Sequence, residues 1–175
     1  MRTVVSCVVM AALTGLQATT LQQLSLNDMI QKSTVIVRGT VQPSYTAAHG
    51  SVIYTHYTVH VTEQWKSATP LAQIDFAVPG GRANGIQQTF AGAPGFVSNQ
   101  EYVLFLWTSR TGLTQVIGLS QGLFVVGPGS GDPMINRPII GQPMLDANGQ
   151  PASDPGMQMQ LSVLRSRIQA TLGGK

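Results

Sequence analysis

The chain has 175 residues, 43% hydrophobic and only 10% charged, with a formal net charge of +3. Its basic residues stand mostly alone, with only Arg165 and Arg167 close together. A nucleic-acid binder carries a clustered basic stripe, so nucleic acid is excluded as the expected partner.

The N-terminus sets the compartment. Arg2 precedes a short apolar run, "TVVSCVVMAALTGLQA", and small residues follow it. That is the pattern of a secretory signal peptide over residues 1–18, with cleavage after Ala18. The run falls short of the roughly 20 apolar residues that a membrane span needs. The mature chain is therefore expected to be secreted or periplasmic, with no membrane attachment after cleavage. Cleavage removes Cys7, the only cysteine, so packing rather than disulfides must hold the fold. The absence of an N-x-[ST] sequon also suits a bacterial exported protein.

From residue 19 onward the pattern turns to short elements. Ser25 and Asp28 form a near capping box, and Leu24 and Met29 a hydrophobic staple, which predicts a short helix ending near Lys32. "TVIVRGTV" begins a sheet with Val35, Val37 and Val41 on one face. After the loop "PSYTAAHGS", the segment "VIYTHYTVHVTEQWK" alternates with period two. Tyr57, Val59, Val61 and Trp65 share its inner side, Glu63 being the exception, while His56 and His60 lie on the polar side. "QIDFAVP" alternates again, with Ile74, Phe76 and Val78 inward. "PGGRANG" breaks the chain, and a Gly- and Ala-rich loop runs on to "GAPGF". "EYVLFLW" is apolar on both faces, which predicts a central strand covered on both sides. "LTQVIGL" and "GLFVVG" complete the sheet.

Residues 127–160 read as a Gly/Pro-rich surface loop, with one small hairpin around Asn148-Gly149. Residues 161–173 predict a helix whose face of Leu161, Leu164, Ile168 and Leu172 packs on the sheet, with Gly173 as the stop.

Candidate chemistry is sparse. On a helix the spacing of His56 and His60 suits one metal ion. On a strand the two rings lie about 13 Å apart, so no metal site is expected there. "GLSQG", residues 118–122, matches the hydrolase nucleophile elbow around Ser120. The elbow needs a following helix, and here a strand follows, with no His beyond His60. Gly80 to Gly85 match the glycine spacing of a phosphate loop, but Ile86 and Gln87 stand where Lys and Ser/Thr belong. Met157 and Met159 form a Met-x-Met pair of the kind that binds Cu(I), while the other methionines are scattered. No catalytic residue, metal ligand or cofactor is assigned. The exposed turn and loop that follow "QIDFAVP" are the place for binding residues, and Gly80, Gly81, Arg82, Asn84 and Phe96 are the candidates.

The succession of a helix, "TVIVRGTV", "IYTHYTVHVTEQWKS", "IDFAVPGG" and "EYVLFLW" resembles the netrin-like module, as found in the N-terminal domain of tissue inhibitors of metalloproteinases. The resemblance covers residues 25–126 and extends to small exported bacterial proteins. It implies an OB-type five-stranded Greek-key barrel over residues 19–126, with a short N-terminal helix and a C-terminal helix packed on it. In that family an N-terminal cysteine engages the protease zinc. Here the mature end would be Thr19-Thr20, so that device does not carry over. The expectation is an exported, non-enzymatic binding module for a protein partner. The alternatives are a protease inhibitor acting through loop 79–96 and an enzyme of unrecognised type.

Overall fold

The computed structural model describes residues 20–42, 44–129 and 131–174; the expected signal peptide and its cleavage point lie outside them. In chain order the elements are β1 (Leu21–Gln22), α1 (Leu26–Lys32), β2 (Val35–Val41), β3 (Tyr45–His49), β4 (Val52–Lys66) and β5 (Gln73–Pro79). The short strands β6 (Gly81–Ala83) and β7 (Ile86–Gln88) follow, then β8 (Glu101–Thr108), β9 (Thr114–Val116), β10 (Leu123–Val126) and β11 (Met134–Arg137). The chain closes with β12 (Met144–Leu145), β13 (Pro151–Ala152), β14 (Met157–Gln160) and α2 (Leu161–Gly173). The protein is mainly β, with a helix near each end of the described chain. None of its described helices is long and apolar enough to cross a membrane.

The main sheet runs β14-β11-β10-β8-β2-β4-β3, with β5 also paired to β4 and β9 to β8. All its pairings are antiparallel. A barrel of the expected kind would close where β5 meets β9, and β5 does come beside β9. No ladder joins those two strands, so the expected closed barrel does not form. β9 is only three residues long, and the chain then returns to the same edge of β8 as β10. From there the sheet continues outward through β11 and β14.

β8 divides the core. Val103 and Phe105 face a cluster with Phe124, Ile135, both helices and Ile36. Tyr102, Leu104 and Leu106 face the opposite cluster, which includes Val37, Val59, Phe76 and Leu123. The expected helix face covers the first side: Leu161, Leu164 and Ile168 are buried in it and Leu172 packs against it. Trp107 ends the alternation and is 43% exposed.

Trp65 departs from its expected face. Tyr57, Val59 and Val61 join the second core, but Trp65 packs against the first. The β2–β4 register shifts between Ile36 and Val37 and again between Arg38 and Gly39. Each extra residue lies on β4 and turns over the side-chain phase beyond it. Gly39 makes this possible, since a Cβ there would stand 2.3 Å from the His60 carbonyl oxygen.

Polar groups then fasten the helices. Ser25 and Asp28 form a full capping box on α1. The Lys66 ammonium donates to the carbonyls of Ile30 and Gln31, both at 2.8 Å, and so closes the other end of α1. Asp132 accepts from the Ser162 N–H at 2.8 Å and caps the start of α2. Arg165 of α2 donates to both oxygens of Glu63 on β4, at 2.7 and 3.0 Å. Trp65 Nε1 donates to the same carboxylate at 2.9 Å.

Residues 127–160 correct the expectation of a plain loop. Four strands lie within them, and β11 and β14 extend the main sheet. The hairpin at Asn148-Gly149 does form, as β12–β13, and β1 joins it in parallel with Leu21 opposite Met144. The excursion between β11 and β14 is clipped by Arg137, whose guanidinium grips Asp154 with both side chains buried. Burial pushes the Asp154 carboxyl up. The Arg137 guanidinium and the N–H groups of Ile140 and Gly156 outweigh that, leaving it below its ordinary value. Composition registers the glycines and prolines but not one pairing between two distant charges.

Two stability predictions follow from this packing. Phe105→Ala should cost about 3–5 kcal/mol and Ile168→Ala about 2–5 kcal/mol in urea unfolding, the ranges for truncated buried side chains. An Ile168→Ala midpoint equal to wild type would mean that α2 carries no load. The second concerns pH. The hydrogen bonds from Arg165 hold the Glu63 carboxyl below 4.5, against a smaller upward push from burial. A depressed carboxyl contributes stability above its unfolded pKa and loses it as pH falls through the folded one. Urea midpoints should therefore fall below pH 4.5, and Glu63→Gln should reduce that fall, while Asp154, also held low, keeps part of it.

Candidate functional site

The turn after β5 is a small hairpin laid over the β3–β4 ribbon. Its tip is Asn84-Gly85, with φ of 51° and 75°, the left-handed pair that a type I′ turn requires. Gly81 has φ 137°, and a Cβ there would stand 2.8 Å from both the Thr46 methyl and the Thr55 hydroxyl. Side chains pin the hairpin: Gln88 accepts from the Ile53 N–H at 2.7 Å and donates to the Ser51 carbonyl at 2.8 Å. Thr55 donates to the Gly80 carbonyl at 2.8 Å.

The loop from Thr89 to Gln100 has one half-buried aromatic anchor. Phe96 sits 4.8 Å from the ring of Tyr57, 5.0 Å from Phe76 and 5.2 Å from Tyr102. The Tyr102 hydroxyl accepts from the Val97 N–H at 2.9 Å and holds the next residue. Phe96, one of the expected binding residues, is half-buried and packs its ring into this aromatic group, fixing the loop.

Clefts open on both sides of this segment. The first, about 540 Å³, runs between the hairpin and the loop, with Gly80, Gly81, Arg82, Tyr57, Phe90 and Pro94 among its walls. The second, about 500 Å³, is floored by Tyr102, Leu123 and Val125, with Val97 and Ile139 on its lips. Val97 is 67% exposed and Ile139 71%. None of the residues lining this second groove is charged. Of the sequence candidates, Gly80, Gly81 and Arg82 thus share one cleft. Asn84 stands apart at the hairpin tip, in a smaller hollow with Ile86.

Val97 and Ile139 were not legible as site residues. They sit in aperiodic Gly/Pro-rich stretches, and nothing local says that one will face the other.

The remaining motifs have structural roles. In "GLSQG", Gly118 and Leu119 take φ of 62° and 66°, and strand β10 follows. The buried Gln121 accepts from the Leu24 N–H at 2.7 Å and donates to the Gln22 carbonyl at 2.8 Å, clamping the N-terminal segment. Gly122 passes beneath Phe105, whose carbonyl oxygen would lie 2.8 Å from a Cβ. His56 stacks on Tyr45 at 4.9 Å, and His60 is exposed farther along β4. Met157 and Met159 pack against the first core. Among the described residues, no cluster of three or more His, Cys, Asp or Glu is placed to hold a metal ion.

No protein-family model, curated protein or solved structure matches this chain.

The Phe96 anchor is directly testable. Phe96 is half-buried, so Phe96→Ala should destabilise the fold by less than the roughly 3 kcal/mol that begins the range for a truncated buried aromatic. It should also speed amide exchange across residues 89–100. Unchanged exchange there would show that other contacts hold the loop.

Proposed function

We propose that the mature chain is an exported, non-enzymatic binding module that recognises a protein partner through the pinned segment 89–100 and the β6–β7 hairpin. The observation that carries this reading is one rigidly anchored loop with a cleft on either side, each edged by exposed apolar residues. Phe90 is 39% exposed on one side, and Val97 and Ile139 more so on the other. A fixed loop loses little freedom on binding, which favours affinity. Exposed aliphatic lips around an uncharged groove are a feature of interaction surfaces. Ser120 is the only serine on the walls of that groove, and no His, Asp or Glu accompanies it there.

The strand succession β5-β4-β2-β8-β9 supports an OB-like reading of the main sheet, with an unjoined seam where β5 meets β9. OB-type folds bind through loops and one sheet face, but the fold alone gives no ligand. The Phe96 plug also favours a second reading within the same class, a protease inhibitor that presents this segment as a rigid loop.

The test uses the mature chain as bait in periplasmic extract or culture medium, beside a Val97→Asp/Ile139→Asp variant. A partner retained by wild type and lost at least tenfold by the variant supports the proposal. Equal retention by both, or no specific partner, overturns it. Titrating secreted proteases with both forms separates the inhibitor reading, because inhibition must fall with the same variant.

A further inference from the structure

We propose that β3 is a self-pairing edge, through which two copies of this chain join their sheets into one continuous antiparallel sheet. Among the described residues β3 is the end strand of the main sheet, paired on one side only, with β4.

The direction of its free groups follows from register. β3 and β4 are joined by the two-residue turn Gly50-Ser51, with His49 opposite Val52 and Gly50 at φ 62°. In such a turn the flanking pair is hydrogen-bonded, so His49, Ala47 and Tyr45 direct their N–H and C=O groups toward β4. The far side of β4 agrees, since the Ile53 carbonyl accepts from Gly80 on the β5 side. Thr46 and Ala48 therefore direct their N–H and C=O groups away from the sheet.

The strand carries none of the usual guards of an edge. Its sequence, Tyr-Thr-Ala-Ala-His, has no Lys, Arg, Asp, Glu or Pro, and its ladder with β4 has no bulge. It is also self-complementary about Ala47. With Ala47 opposite Ala47 of a second copy, Thr46 falls opposite Ala48 of that copy and exchanges both backbone bonds with it. The Ala47 pair is then of the non-hydrogen-bonded kind, with Cα atoms about 4.5 Å apart, where small side chains fit.

The same register sets Tyr45 against His49 of the second copy. Tyr45 is 63% exposed and already stacks on an imidazole within its own chain, that of His56. Across the axis it meets another. The opposite face of β3 carries Thr46, whose hydroxyl already donates to the Arg82 carbonyl under the hairpin, so this side chain needs no new partner at the join. This edge lies under the β6–β7 hairpin but away from Val97 and Ile139, so the variants that test the two proposals differ and either can fail while the other stands.

Light scattering on the mature chain over roughly 1–100 μM, the span of moderate affinities, should show the mass rising to twice the monomer. The amides of Thr46 and Ala48 should exchange more slowly at high concentration than at low. Ala48→Pro removes an outward N–H without touching the β4 ladder. Ala47→Lys sets like charges face to face on the axis. Both variants should stay monomeric while keeping the wild-type circular dichroism spectrum. A wild-type chain that is monomeric throughout, concentration-independent exchange at Thr46 and Ala48, or a folded variant that dimerises as wild type does, would each overturn the proposal.

Discussion

Everything in this fold depends on β8 being apolar on both sides. Tyr102 through Leu106 are buried without exception, so the strand is stable only where water is excluded from both faces at once. One face is met by the two helices, and the other by the curled ribbon of β4 and β5 together with the Phe96 plug. No disulfide links the described residues, because the single cysteine lies outside them. The two covers are thus held by packing and by a few directed polar groups.

Those polar groups sit at joints. Glu63 stands where β4 crosses beneath α2, and it receives Arg165, Trp65 and, at 3.9 Å, Arg38. Arg38 in turn donates to Glu101 at 2.8 Å, so the network runs across β4, β2 and β8 and up to the helix. Such half-buried pairs add little to stability by themselves, but they fix where the helix sits along the sheet. Arg137 and Asp154 do the same for the Gly/Pro-rich excursion, more deeply and at a greater cost in lost hydration.

Local pattern made part of this legible. The capping box at Ser25, the period-two run of β4, the doubly apolar β8 and the amphipathic α2 each follow from residues close in sequence, and each is found. What failed to show depends on distant pairs. The bulges that turn Trp65 over arise from how β2 and β4 match, which neither strand states alone. The strands within residues 127–160 depend on Arg137 finding Asp154 and on β1 reaching β12. Barrel closure was implied by the resemblance to the netrin-like module, but a seam closes only if both edges are long enough, and β9 is not. At the candidate site, the break at "PGGRANG" was readable, although the hairpin around Asn84-Gly85 was not expected. Phe96 looked like an exposed loop residue because its three ring partners come from other elements.

The Gln121 clamp has a consequence for the order in which the chain can fold. It joins Leu24 and Gln22 to a residue 97 to 99 positions later, and α1 shares its core with side chains as late as Ile168. Long separations cost little at equilibrium, about 0.6 kcal/mol for each doubling of loop length. They cost far more in speed, because distant contacts must be found before they are rewarded. The cover over Leu26, Met29 and Ile30 is complete only when Leu161, Leu164 and Ile168 of the last helix join Ile36, Val103 and Phe105 around them. Contacts of this separation make for slow folding, and they leave the two ends of the chain to be joined late.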